Sequence, residues 1–151
     1  MWSGADGTWR DVLWRTGEAR TGLSAASYTP LWAGACDAAE ADAAVASLKR
    51  SGLVQAGGVA TTLSPSGQQW DWPNAWPPLQ QMIIEGLRTC GGAGGAHLAV
   101  EIASRWLSSN HRGWVRDDLR SRAYSPYELA PPALTSSYSC RMHTGARRRH
   151  A

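Results

Sequence analysis

The strongest periodicity in the chain lies between residues 77 and 107. Leu79, Met82, Ile83, Gly86 and Leu87 follow the i, i+3, i+4, i+7, i+8 spacing of one helix face, behind Pro77 at a natural first helical position. Gly91-Gly92 ends that helix. Leu98, Ala99, Ile102, Ala103, Trp106 and Leu107 form a second stripe, with Glu101, Ser104 and Arg105 largely off it, which predicts a helix over about 95–108. Two amphipathic helices joined by a short glycine turn make an αα-hairpin. A further helix is predicted from an Asp37 N-cap to Lys49-Arg50-Ser51-Gly52, with Ala41, Val45 and Leu48 inward and acids in the first turns.

Elsewhere the pattern is irregular. Residues 1–36 alternate Trp with Gly, Thr and Ser, which predicts loops and short extended pieces. Residues 57–74 are dense in Gly, Ser, Thr and Pro, which predicts a long ordered loop. No strand-turn-strand pattern stands out, so the expected class is all-α. From about Trp114 the periodicity lapses, and the chain finishes in Arg147-Arg148-Arg149-His150. Residues 114–151 therefore read as a disordered basic tail behind a unit over 1–113.

Charge sharpens this division. The net charge of +3 conceals +5 in residues 112–151, eight Arg against three acids, and −2 in residues 1–111, seven Lys or Arg against nine acids. The body gives no reason to expect nucleic acid, and a basic-tailed interaction protein is the weakest of the readings. Cys36, Cys90 and Cys140 lack CxxC spacing and are odd in number, so free thiols are expected rather than a disulfide framework or zinc site. His97, His111, His143 and His150 show no partner spacing for a metal or a triad. No cofactor is implied. No apolar run approaches the roughly 18 residues of a membrane span, and the first residues carry no signal-peptide pattern, so the compartment stays open.

The aromatic inventory is nine Trp, four Tyr and no Phe, rings that combine an apolar face with a hydrogen-bonding edge. Three of the Trp fall in Gln68–Gln80, QQWDWPNAWPPLQ, beside an Asp, an Asn and glutamines. Pro73 and Pro77-Pro78 stiffen this stretch, so side chains on it are ordered before any ligand arrives. Indole faces suit the C–H groups of a hexose, and Asp, Asn and Gln suit vicinal hydroxyls. A structural loop whose Trp side chains wedge between helices accounts for the same composition.

Gln69-Trp70-Asp71-Trp72-Pro73-Asn74-Ala75-Trp76-Pro77-Pro78 resembles, position for position, the second signature of the trehalase family. Gly57-Gly58-Val59-Ala60-Thr61-Thr62 is similar to the run that precedes it, Leu79 to Leu87 to the helix that follows, and Tyr28-Thr29-Pro30-Leu31-Trp32-Ala33 to an upstream stretch. The resemblance covers about residues 1–110. It implies an incomplete portion of a six-hairpin (α/α) toroid barrel, inverting hydrolysis of α,α-trehalose to two glucose molecules, and Gln69, Trp70, Asp71, Asn74 and Trp76 as substrate-binding residues. The partner implied is a small molecule, trehalose.

Inversion requires a carboxylic acid and a carboxylate roughly 6.5–9.5 Å apart. In the family the acid lies in a Gly-Trp-Asp-Phe-Ser-Ser-Arg-Trp type segment and the base in a Glu-Lys-Tyr type segment. Neither has a counterpart here, so no catalytic residue is assigned. Glu85 and Glu101 read as ordinary helix carboxylates, Glu128 lies in the aperiodic tail, and Asp71 is carried over as a hydroxyl acceptor alone. The expectation is a trehalase-like fragment inactive by itself; the alternative is a non-catalytic carbohydrate-binding helical module.

Overall fold

A computed structural model describes residues 1–68, 70–123 and 140–141, with side chains described as far as residue 115. The chain opens with a small hairpin, β1 (Trp2–Ser3) against β2 (Thr8–Trp9), antiparallel with Trp2 opposite Trp9. The two indoles lie 4.6 Å apart at 59°, a tilted pair that packs on the core. A second turn brings Val12 opposite Ala19. A 3-10 helix (Ala25–Tyr28) then runs into α1 (Thr29–Trp32), sinking Tyr28 and Leu31 completely.

Helix α2 (Ala38–Arg50) begins where its cap chemistry requires. The Asp37 carboxylate accepts from the Glu40 N–H, and the Glu40 carboxylate accepts from the Asp37 N–H, a reciprocal capping box. Ala41, Ala44, Val45 and Leu48 face inward. The pair β3 (Val54–Gln55) and β4 (Gly58–Val59) leads through a long loop to β5 (Asn74–Ala75), then to α3 (Pro77–Cys90) and α4 (Gly92–Ala123). Helix α4 packs back on α3 across Gly91, giving the αα-hairpin expected from the two stripes. A last pair, β6 (Cys140–Arg141), lies antiparallel to β5.

The core is continuous: Leu31 of α1, Val45 and Leu48 of α2, Ile83 and Leu87 of α3, and Leu98 and Ile102 of α4, with Leu53, Val59 and Ala60 beneath the loop. Contact between α1 and α3 depends on Gly86. A Cβ there would lie 2.6 Å from the Trp32 nitrogen and 2.9 Å from the Leu31 Cβ. The backbones therefore approach more closely than any side chain permits.

Three differences from the sequence expectations stand out. The molecule is mostly helical, but among the described residues it also carries three two-residue strand pairs, too short for a period of two to register in the sequence. Helix α4 runs to Ala123, through the boundary drawn at 113/114. The lapse in periodicity there marks where the helix leaves the packed surface, since Trp114 is exposed; the division is one of composition, not of secondary structure. Leu107, expected inward, points outward. The tail expected to be disordered falls, beyond Ala123, largely outside the described residues.

Candidate functional site

The site is assembled around residues 57–62. Gly58 has φ +122°, in the region that favours glycine, and a Cβ on it would lie 2.6 Å from the Gln80 Oε1. The absence of that Cβ lets the buried Gln80 amide act as a mimic of a neighbouring strand: the Val59 N–H donates to Oε1 at 2.8 Å, and Nε2 donates to the Val59 carbonyl at 2.5 Å. Next along the chain, the Ala60 N–H donates to Leu53 O at 2.8 Å, and Thr61 O accepts from the Ala25 N–H at 2.9 Å. Residues 57–61 are thereby pinned to α3 on one side and to the 3-10 helix on the other.

Two hydroxyls then fix the signature loop to this frame. Thr61 Oγ1 donates to the Trp70 carbonyl at 2.7 Å, and Thr62 Oγ1 donates to Asp71 Oδ1. Asp71 Oδ1 also accepts from the Trp72 N–H at 2.8 Å, and the Asp71 carbonyl accepts from the Asn74 N–H at 2.7 Å. Burial pushes the Asp71 carboxyl up, but hydrogen bonds from Thr62, Ser66 and the Trp72 N–H outweigh it and hold the pKa below the ordinary carboxylate value. Asp71 is only 3% exposed and braces the bend from within.

The consequence is a sorting of the indoles. Trp72 packs partly into the core. Trp70 and Trp76 remain 41% and 44% exposed. Trp76 precedes Pro77, and proline disfavours helical geometry at the residue before it. Its backbone is accordingly extended (φ −102°, ψ 121°), and the indole leaves the chain at the start of α3. Both outward rings line an open cleft of about 460 Å³, shared with Leu79, Ala26, Ser24, Thr61 and Thr62. That volume is within the usual range for small-molecule sites. A neighbouring cavity of about 410 Å³ shares Ser24 and Thr62 and adds Asp11, Glu18 and Arg20 from the N-terminal turn.

Of the five residues expected to touch a substrate, then, two line the cleft. Asp71 lies behind the wall, Asn74 is half-buried in β5 opposite Arg141, and Gln69 falls outside the described residues. Glu85 pairs with Arg88 and Glu101 with Arg105, both on helix surfaces, and Glu128 is outside the described residues. Among the described residues no three His, Cys, Asp or Glu side chains gather in a metal-binding group, and no helix is long and apolar enough to cross a membrane. Sequence reasoning overlooked Ser24, Thr61, Thr62 and Gln80. The Thr-Thr pair and the buried glutamine stood beside the motif, but only the folded loop shows what they hold.

A family model for trehalase matches residues 1–130, well past the point near residue 110 where the sequence resemblance was read to end. The chain is 39% identical over 119 residues to the probable trehalase of Oryza sativa subsp. japonica, covering 73% of this chain and 21% of that protein. It is 38% identical over 137 residues to the trehalase of Pimpla hypochondriaca, covering 87% and 23%. The solved structure of neutral trehalase Nth1 from Saccharomyces cerevisiae superposes with a TM-score of 0.68 at 28% identity, over 77% of this chain and 22% of that one. The chain spans about a fifth of the length of these relatives. By the extent of that match and the fold that accompanies it, the chain belongs to the trehalase family.

Proposed function

We propose that this chain forms one wall of the sugar pocket of an α,α-trehalase-type inverting glycoside hydrolase, as an incomplete portion of a six-hairpin (α/α) barrel. The observation that carries the reading is the pair of outward indoles, Trp70 and Trp76, on one cleft. Indole faces take the C–H side of a glucose ring, in a cleft whose exposed lining is mostly apolar. Asp71 contributes by holding the bend, with Asn74 and Gln69 as the further polar contacts in the same reading. Trehalose is the substrate proposed.

Turnover is not assigned to the isolated chain. In this reading no residue of the sequence is matched to the segments that carry the acid and base in the family, and among the described residues the cleft is lined by Trp70, Trp76, Leu79 and small or hydroxyl side chains. The other reading, a non-catalytic carbohydrate-binding module, is kept as an outcome of the test.

Titration calorimetry and tryptophan fluorescence with trehalose, on chain shown to be folded by circular dichroism, decide the matter. The expected result is binding that Trp76→Ala weakens by about tenfold, the loss of one ring contact, with no glucose released. Glucose release would place working carboxylates within the chain, and unaided micromolar binding would favour the module. A folded chain indifferent to trehalose would remove the sugar assignment.

A further inference from the structure

The cleft has two walls, drawn from separate stretches of the chain. One is the 3-10 helix with the residue before it, which contributes Ser24 and Ala26; the other is the signature bend, which contributes Trp70 and Trp76. Thr61 lines the same cleft, is nearly buried, and bonds to both walls. Its carbonyl accepts from the Ala25 N–H at 2.9 Å, and its hydroxyl donates to the Trp70 carbonyl at 2.7 Å. A threonine hydroxyl has a single proton, and here the Trp70 carbonyl takes it, so none is left to donate to a ligand.

The first wall is fixed by other means as well. Ala25 and Tyr28 are fully buried, and Thr8 Oγ1 donates to the Ser27 carbonyl at 3.0 Å. The frame behind Thr61 is equally firm, because Gln80 holds Val59 and Leu53 holds Ala60. Trp70 differs. Its ring is 41% exposed and, unlike that of Trp72, does not pack on the core, so its place depends on its backbone. The hydrogen bond to that backbone comes from the Thr61 side chain. Thr62 acts at another point, the Asp71 carboxylate that braces the bend from within.

We propose that Thr61 is a positioning residue for the sugar: its hydroxyl holds Trp70 in place against the Ser24 and Ala26 wall, and so sets the gap into which a glucose ring must fit. Threonine suits this task, because its β-branched side chain restricts χ1 and the hydroxyl is aimed before any ligand arrives. The ligand in this inference rests on the sugar reading above; the placing of Trp70 does not.

Ligand and placement are tested apart. The whole chain is made with fluorotryptophan, and the Trp70 fluorine resonance is identified by its loss in Trp70→Phe. Thr61→Val keeps nearly the same side-chain shape, leaves the backbone bond to Ala25 and removes the donor to Trp70. The Trp70 resonance should then shift or broaden while that of Trp114, on α4, stays where it is. Trehalose affinity by calorimetry should fall about five- to tenfold, the effect of one hydrogen bond. Thr61→Ser keeps the hydroxyl and should restore the resonance and bring the affinity to within about twofold of the native chain. Thr89→Val, which loses a hydroxyl bonded to the Glu85 carbonyl within α3, should change neither. An unmoved Trp70 resonance in Thr61→Val overturns the placement, and a moved resonance with unchanged affinity overturns its part in binding. A native chain that ignores trehalose removes the sugar reading, and the resonance alone then decides whether Thr61 places Trp70. Should Thr61→Val not fold, Thr61→Cys, whose thiol is a weak donor, is read in the same way.

Discussion

Gln80 shows how much one side chain can carry. Its amide completes the hydrogen bonding of Val59, and both residues are buried. Replacing Gln80 with Leu leaves a buried N–H and a buried carbonyl without partners, at about 1–3 kcal/mol each. The expected loss is about 2–4 kcal/mol of unfolding free energy in urea denaturation, and a loss below 0.5 kcal/mol would show that water takes the amide's place. Asp71 makes a pH-dependent contribution. Its folded pKa is lowered, so its stabilisation is complete above the unfolded value of about 3.9 and is lost as pH falls through the lower folded value. Acid unfolding of the native chain should include this loss, and Asp71→Asn should flatten the dependence below pH 4. An unchanged acid limb in the variant would mean that Thr62, Ser66 and Trp72 do not favour the charged form.

At the scale of the element, the crossing of α1 and α3 at Gly86 governs how the helices pack. Alanine in a helix interior is favoured over glycine by about 1 kcal/mol. Here its Cβ would meet the backbone of Leu31 and Trp32, which cannot move aside as a flexible side chain would. Overpacking of this kind costs about 1–3 kcal/mol. Gly86→Ala should therefore be net destabilising by up to about 2 kcal/mol in thermal or urea melts, and a stabilised variant would contradict so close an approach. The elements also divide by how readily sequence discloses them. The Asp37 capping box and the stripe from Leu79 to Leu87 are local, and α2 and α3 appear where the pattern puts them. The strand pairs are less legible: β1–β2 and β3–β4 are hairpins of two-residue strands, too short to show a period of two, and β5 finds its partner far along the chain at residues 140–141.

For the molecule as a whole, the outer face of α4 is the exposed feature with consequences. Val100, Leu107 and Trp114 recur every seven residues and are 67%, 67% and 69% exposed, in a stripe along one side of the helix. The isolated chain should self-associate at micromolar concentration, as seen by sedimentation velocity, and Leu107→Lys should shift it toward monomer. A soluble, cooperatively melting monomer would contradict this.

Residue order alone determined α2 with its Asp37 cap, α3, the hairpin that α3 makes with α4, and the trehalase signature, because each is written in neighbours three, four or ten positions apart and needs no distant partner. Tertiary structure decided which signature residues face outward. Trp70, Trp72 and Trp76 are chemically alike, and what separates them is the anchoring of the loop by Thr61, Thr62 and Asp71. That anchoring depends on Gln80 reaching Val59 across a stretch of chain whose path no local pattern specifies.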